Sequence, residues 1–258
     1  MVLSPYPYGD DRFENPSVLI SEDGQNWSVP SGLTNPLWLP SQGHLSDATL
    51  FYDDASDQLF VYFLNEIPEP AEHCFLLRIT SSDGIHWSPP EVQFSSDHYS
   101  LSPTVAKIGS TYLLWTIDSV SGCTGQNSRM MQRSSSDGAT WSPPQPVSIS
   151  QPGFVAWHLN VISVPSEGQF MSLIAAYPIG SDCGHTKLFF ANSNDGLDWK
   201  TYSGPILDVG SGWQSRAIYR SALVYDPDKA LFRTWYSAVD AVSLEWRIGY
   251  TEGLFNVE

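Results

Sequence analysis

One heptad occurs four times and constrains the fold more than any other feature. It reads Ser21-Glu-Asp23-Gly24-Gln-Asn-Trp27, Ser81-Ser-Asp83-Gly84-Ile-His-Trp87, Ser135-Ser-Asp137-Gly138-Ala-Thr-Trp141 and Ser193-Asn-Asp195-Gly196-Leu-Asp-Trp199. From Asp23 to Asp83 to Asp137 to Asp195 the steps are 60, 54 and 58 residues. Such a period points to a propeller or an array of similar units. Aspartate accepts hydrogen bonds from nearby backbone N–H groups, and glycine takes the positive φ that other residues resist. An Asp-Gly pair between strand-like runs therefore marks a hairpin. The tryptophan is placed to cover that hairpin. Ser-Pro-Pro follows Trp87 and Trp141 and ends the ladder there, because proline has no N–H to donate.

Between heptads the chain repeats three short runs rich in β-branched and aromatic residues, the composition of strands. In the second repeat these are 48–52, 58–63 and 75–79. With the segment after each tryptophan they make four strands per repeat, the unit of a β-propeller blade. No stretch sustains a 3.6-residue apolar period, so almost no helix is predicted. The reading is an all-β, five-bladed propeller of four-stranded antiparallel blades. It forms a single domain over 1–258, with blades at about 1–42, 43–97, 98–152, 153–210 and 211–258. The first blade is incomplete and lacks an inner strand. A four-bladed ring is the alternative. An unfinished blade leaves an open strand edge, which suits a homo-oligomer.

Composition narrows the partners. There are 28 acidic and 12 basic side chains, a formal charge of −16. Nucleic acid and anionic membranes need clustered Lys and Arg, so neither is expected. Neutral ligands such as carbohydrate remain. No apolar run approaches the roughly 20 residues of a membrane helix. Residues 1–7 show no charged n-region and no sustained apolar core, so no signal peptide is read and localisation stays open between secreted and cytoplasmic. Cys74, Cys123 and Cys183 read as ordinary thiols, with one disulfide as the alternative. His44, His158 and His185 lack ligand spacing, so no metal site and no cofactor are expected, with a structural divalent cation in the channel allowed.

Strand alternation places the Asp-Gly turns on one face, together with the turns between first and second strands. The opposite face carries longer polar loops, and function concentrates on such loops. The recurring aspartates therefore read as structural. The candidate site is drawn from the other face: Asp47, Glu14 and Asp11 as catalytic carboxylates, and His44, Trp157, His158, Tyr219, Arg220 and Trp213 as substrate ligands. Glu66 belongs to the same loops but not to this shortlist. Carboxylates, imidazoles, guanidinium groups and aromatic rings together suit a sugar, whose hydroxyls need polar partners and whose apolar face stacks on rings.

The Ser-x-Asp-Gly-x-x-Trp turns, the period and the residues at the strand starts resemble the five-bladed propellers of glycoside hydrolase families 43 and 32. That resemblance implies a first-blade Asp as base or nucleophile, a second-blade Asp that orients, and a third-blade Glu as general acid. Asp47, in Leu45-Ser46-Asp47-Ala48, falls at the second of these positions. The inner strand for the first is absent, and the third blade reads Leu101-Ser102-Pro103-Thr104, without a Glu. The resemblance thus implies glycan cleavage or binding with carboxylate acid–base chemistry, Asp11 or Glu14 replacing the missing partner. A non-catalytic carbohydrate-binding or assembly module and a truncated inactive homologue are alternatives. A sialidase-like site using Arg216 and Arg220 is a further one.

Overall fold

Each heptad closes on itself. The serine hydroxyl accepts from the glycine N–H at 2.8–2.9 Å in all four turns. Each aspartate Oδ1 accepts from the two backbone N–H groups that follow the glycine. The glycines sit at φ of +67° to +77°, where a side chain costs strain. The tryptophan does more than cover the turn. Its indole N–H donates to the turn's own glycine carbonyl in three heptads, Trp27, Trp87 and Trp199. Trp141 donates instead to Gln93.

The computed structural model describes residues 1–67, 73–149, 151–164 and 168–254. The strands are β1 (Val2–Leu3) and β2 (Ser17–Val18); β3 (His44–Asp53), β4 (Gln58–Ile67), β5 (His73–Ser81) and β6 (Glu91–Ser96); β7 (Tyr99–Ile108), β8 (Thr111–Ser119), β9 (Arg129–Ser135) and β10 (Gln145–Pro146); β11 (Ser148–Ile149), β12 (Phe154–Val164), β13 (Gln169–Pro178), β14 (Lys187–Ser193) and β15 (Asp198–Thr201); and β16 (Ala217–Asp226), β17 (Leu231–Val239) and β18 (Trp246–Gly253). Among the described residues the only helical pieces are single 3-10 turns, and no helix is long and apolar enough to cross a membrane.

The fold is an all-β propeller. Its sheets run β3-β4-β5-β6, β7-β8-β9-β10, β12-β13-β14-β15 with β11 added outside, and β16-β17-β18. The heptads join third to fourth strands, as the spacing requires. The first repeat is reduced to the β1–β2 pair and a bridge between Ile20 and Ser28. In the last sheet β18 pairs with β17 alone among the described strands. One blade boundary moves. Residues 148–149 leave the third repeat and pair, in parallel, with β15 of the fourth. The cause lies beyond the heptad: Ser148 N–H bonds to the carbonyl of Leu197, within the next turn.

The chain forms two compact units. One comprises Met1–Leu114 with Ser134–Pro143, the other Trp115–Arg133 with Pro144–Glu258. In the first, Leu45, Ala48, Val61, Phe63, Leu77 and Ile79 form the core. In the second, Leu173, Leu188, Phe190, Ile218, Leu223 and Phe232 do so, among others. Second strands are buried on both faces, as at 61–64 and 170–177, which is why they read as unbroken apolar runs.

Turns also staple neighbouring sheets within each unit. The Gly138 carbonyl accepts from Tyr62 Oη at 2.9 Å and Arg78 Nη1 at 2.8 Å. The Gly196 carbonyl accepts in the same way from Trp115 Nε1 at 2.8 Å and Gln132 Nε2 at 2.9 Å. Donors from a second and a third strand thus meet the next repeat's turn both times. The second unit is further tied by a disulfide between Cys123 and Cys183. That corrects the reading of three ordinary thiols, since Cys74 alone of the three stands outside a disulfide. Sixty residues separate the pair in sequence, and only the folding of both loops to one place shows that they meet.

Candidate active site

The first unit gathers Asp11, Glu14, His44 and Asp47, and adds Glu66. Asp10 starts the arrangement by capping a 3-10 turn over Asp11–Phe13, its Oδ1 accepting from Arg12 N–H at 3.1 Å. Asn15 then closes the turn by donating to the Arg12 carbonyl at 3.0 Å. The turn lays Asp11 and Glu14 beside the start of β3. Asp11 Oδ2 is 4.0 Å from His44 Nδ1.

Antiparallel register sets His44 opposite Glu66. His44 Nε2 lies 3.5 Å from Glu66 Oε2, and the Ser46 hydroxyl donates to Glu66 Oε1. Hydrogen bonding to Glu66 holds the His44 pKa above the usual imidazole value, against burial and with help from Asp11 and Glu14. Burial, then the negative charges of Asp47 and Glu66, push the Glu14 carboxyl up to about 8, although His44 opposes the shift. A carboxylic acid that keeps its proton at neutral pH therefore stands in the field of ionisable carboxylates. Separated proton affinities of this kind are how one site supplies both an acid and a base.

Asp47 is buried and sits on a β-bulge, where register shifts between Ser46 and Thr49. Its φ is +53°, and Ser102 has the same value at the equivalent place in β7. The Ser102 N–H donates to Asp47 Oδ2 at 2.5 Å. The position where the family resemblance implies an acidic Glu thus carries a serine whose backbone anchors Asp47.

The second unit places the remaining candidates on matching irregularities. Register shifts between Ala156 and His158 in β12, at Trp157, and between Ile218 and Ser221 in β16, at Tyr219 and Arg220. Bulges re-aim side chains, which is why they recur near functional sites. Trp157 Nε1 donates to Tyr219 Oη at 2.6 Å. The rings of His158 and Trp246 stand 4.5 and 5.2 Å from that of Tyr219, both edge-to-face. The Tyr219 hydroxyl also lies 3.8 Å from Cys183 Sγ, at the disulfide. Trp213 stacks on Tyr236 against the core of its sheet. Arg220 is half-buried, its carbonyl accepting from Ser237 Oγ.

Glu66 and Trp246 escaped the shortlist. Register exposes Glu66, because its strand partner is His44; sequence spacing alone carries no such signal. Among the described residues no group of three or more His, Cys, Asp or Glu is arranged to hold a metal ion.

No family model matches the chain. A curated relative from Flavonifractor plautii, an A type blood N-acetyl-alpha-D-galactosamine deacetylase, is 28% identical over 315 residues, 94% of this chain and 41% of the relative. The chain thus spans about two fifths of that protein's length. The crystal structure of an N-acetylgalactosamine deacetylase from F. plautii, in complex with blood group B trisaccharide, superposes with a TM-score of 0.89 at 25% identity, covering 98% of this chain and 84% of that one. A thermostable family-43 glycoside hydrolase superposes at 0.70 with 13% identity, over 94% and 83% of the two chains. The latter likeness is one of fold, and the fold is the propeller that the four heptads spell.

Proposed function

We propose that this chain acts on carbohydrate by hydrolysing the acetamido group of an N-acetylhexosamine. The observation that carries the reading is the cluster of Glu14, His44, Asp47 and Glu66 at the start of β3, combined with similarity over nearly the whole chain to a deacetylase. In this reading Asp47 takes a proton from water as its oxygen adds to the amide carbon. Glu14 gives its proton to the nitrogen as the C–N bond breaks, so acetate and a free amine leave. A proton on His44, which hydrogen bonding to Glu66 favours, would offset the negative charge that develops on the carbonyl oxygen. Trp157, His158, Tyr219, Arg220 and Trp213 remain proposed sugar ligands.

The test is to incubate the chain with glycans ending in N-acetylgalactosamine and to follow acetate and reducing ends separately. Acetate without reducing ends is the expected result, lost in Asp47→Asn. New reducing ends without acetate would favour glycoside hydrolysis, the second reading, which the family-43 fold and the two carboxylates Asp47 and Glu14 support. Binding with neither product would leave a carbohydrate-binding module. No cofactor is invoked. Loss of acetate release on dialysis against EDTA, restored by a divalent cation, would overturn that part and put a cation among the carboxylates.

A further inference from the structure

The β3–β6 sheet extends the acid–base pair into a row. Register sets His44 opposite Glu66, Glu66 opposite Cys74 and Cys74 opposite Ser96. Residues directly opposite in antiparallel strands share a face, so the row crosses all four strands. Beside it opens a recess whose walls include His44, Glu66, His73, Cys74, His98 and Tyr99. The space is about 270 Å³ counted with the solvent at its open mouth, and it has room for about one water-sized or methyl-sized group. Its wall is mainly nonpolar, and Cys74 is buried and outside any disulfide. A sugar ring needs more room than one such group.

We propose that this recess is the acyl-specificity pocket. It receives the methyl of the substrate's acetyl group while the carbonyl carbon lies against His44 and Glu66. This rests on the deacylase reading above and adds a limit to it: the enzyme takes acetyl and rejects longer acyl chains. One methylene too many in a fitted apolar pocket costs roughly 10- to 200-fold in kcat/KM.

The experiment measures amine release from N-acetyl-, N-propionyl- and N-butyryl-galactosamine glycosides. The natural chain should favour acetyl over propionyl by about 10-fold or more. Cys74→Ala removes one heavy atom from the wall and should raise the propionyl-to-acetyl ratio by about 5-fold or more. Cys74→Ser, equal in size, should keep the original ratio. Tyr99→Ala is a second enlargement that avoids the buried strand position, and circular dichroism reports folding of each variant. The proposal is overturned if folded Cys74→Ala and Tyr99→Ala leave the ratio unchanged, or if the natural chain accepts propionyl as readily as acetyl. Absence of amine release from every acyl sugar would instead sink the deacylase reading, and the pocket assignment with it.

Discussion

Nε2 of His44 lies 3.5 Å from Oε2 of Glu66, while Oε1 of the same carboxylate takes the hydroxyl of Ser46. Glu66 thereby fixes the imidazole's position and raises its proton affinity. Stability from a raised imidazole pKa is fully present below its unfolded value, about 6.5, and is lost as pH rises through the folded one. Glu66→Gln should lower the His44 pKa, read by NMR titration of the ring protons. An unchanged titration would show that the pair does not act.

Glu14 has a linkage of the same sign. Its folded pKa is about 8 against an ordinary 4.5. Between these values the unfolded chain has released a proton that the folded chain keeps, so stability falls as pH rises across that window. Glu14→Gln should flatten this slope in thermal melts at a series of pH values. It should also reduce turnover by about 100-fold or more if Glu14 is the acid, and the natural chain should lose activity above about pH 8. Turnover within a few-fold of the natural chain would remove Glu14 from the mechanism.

Asp53 is a structural charge. It is 2% exposed and bonded by Lys107 Nζ at 2.5 Å and Tyr112 Oη at 2.7 Å. Burial raises its pKa, but hydrogen bonds from Lys107, Ser56 and Tyr112 hold it down to about 2. Its stabilisation is present above the ordinary 3.8 and is lost as pH falls through about 2. Asp53→Asn should cost about 3 kcal/mol in urea unfolding at pH 7, because it strands the Lys107 ammonium. A loss below about 0.5 kcal/mol would contradict the pairing.

The heptad glycines differ in what surrounds them. A Cβ on Gly196 would meet Trp115 at 2.7 Å and Gln132 at 2.9 Å, whereas one on Gly84 would meet only Leu59 at 3.5 Å. Both substitutions carry left-handed strain of about 1–2 kcal/mol. Gly196→Ala should therefore destabilise clearly more than Gly84→Ala. Equal melting temperatures would show that the turn-to-sheet staple is dispensable.

Joining Cys123 to Cys183 closes a loop over a sequence separation of 60 residues, which the chain-entropy model values at about 4 kcal/mol. The Cys123→Ser, Cys183→Ser double variant should lose stability on that order in denaturant. Because the sulfur of Cys183 lies beside Tyr219, glycan affinity should fall too if Tyr219 is a ligand.

The sequence by itself determined the repeating unit. Asp-Gly turns are local chemistry: Asp83 bonds to backbone N–H groups within three residues, so the pattern is legible without tertiary contacts. Strand runs and the scarcity of helix follow from the same short range. Asp11, Glu14, His44 and Asp47 were legible as residue types on one loop face. Only the tertiary structure decided that Glu66 completes the cluster, because cross-strand register, not spacing, brings it to His44. The bulges at Asp47, Trp157 and Tyr219 were likewise invisible, since an extra residue in a strand shows only against its partner. The Cys123–Cys183 bond and the shift of Ser148 to the next sheet have the same origin. Each is a contact between distant segments, whose energy depends on where the rest of the chain has already placed them.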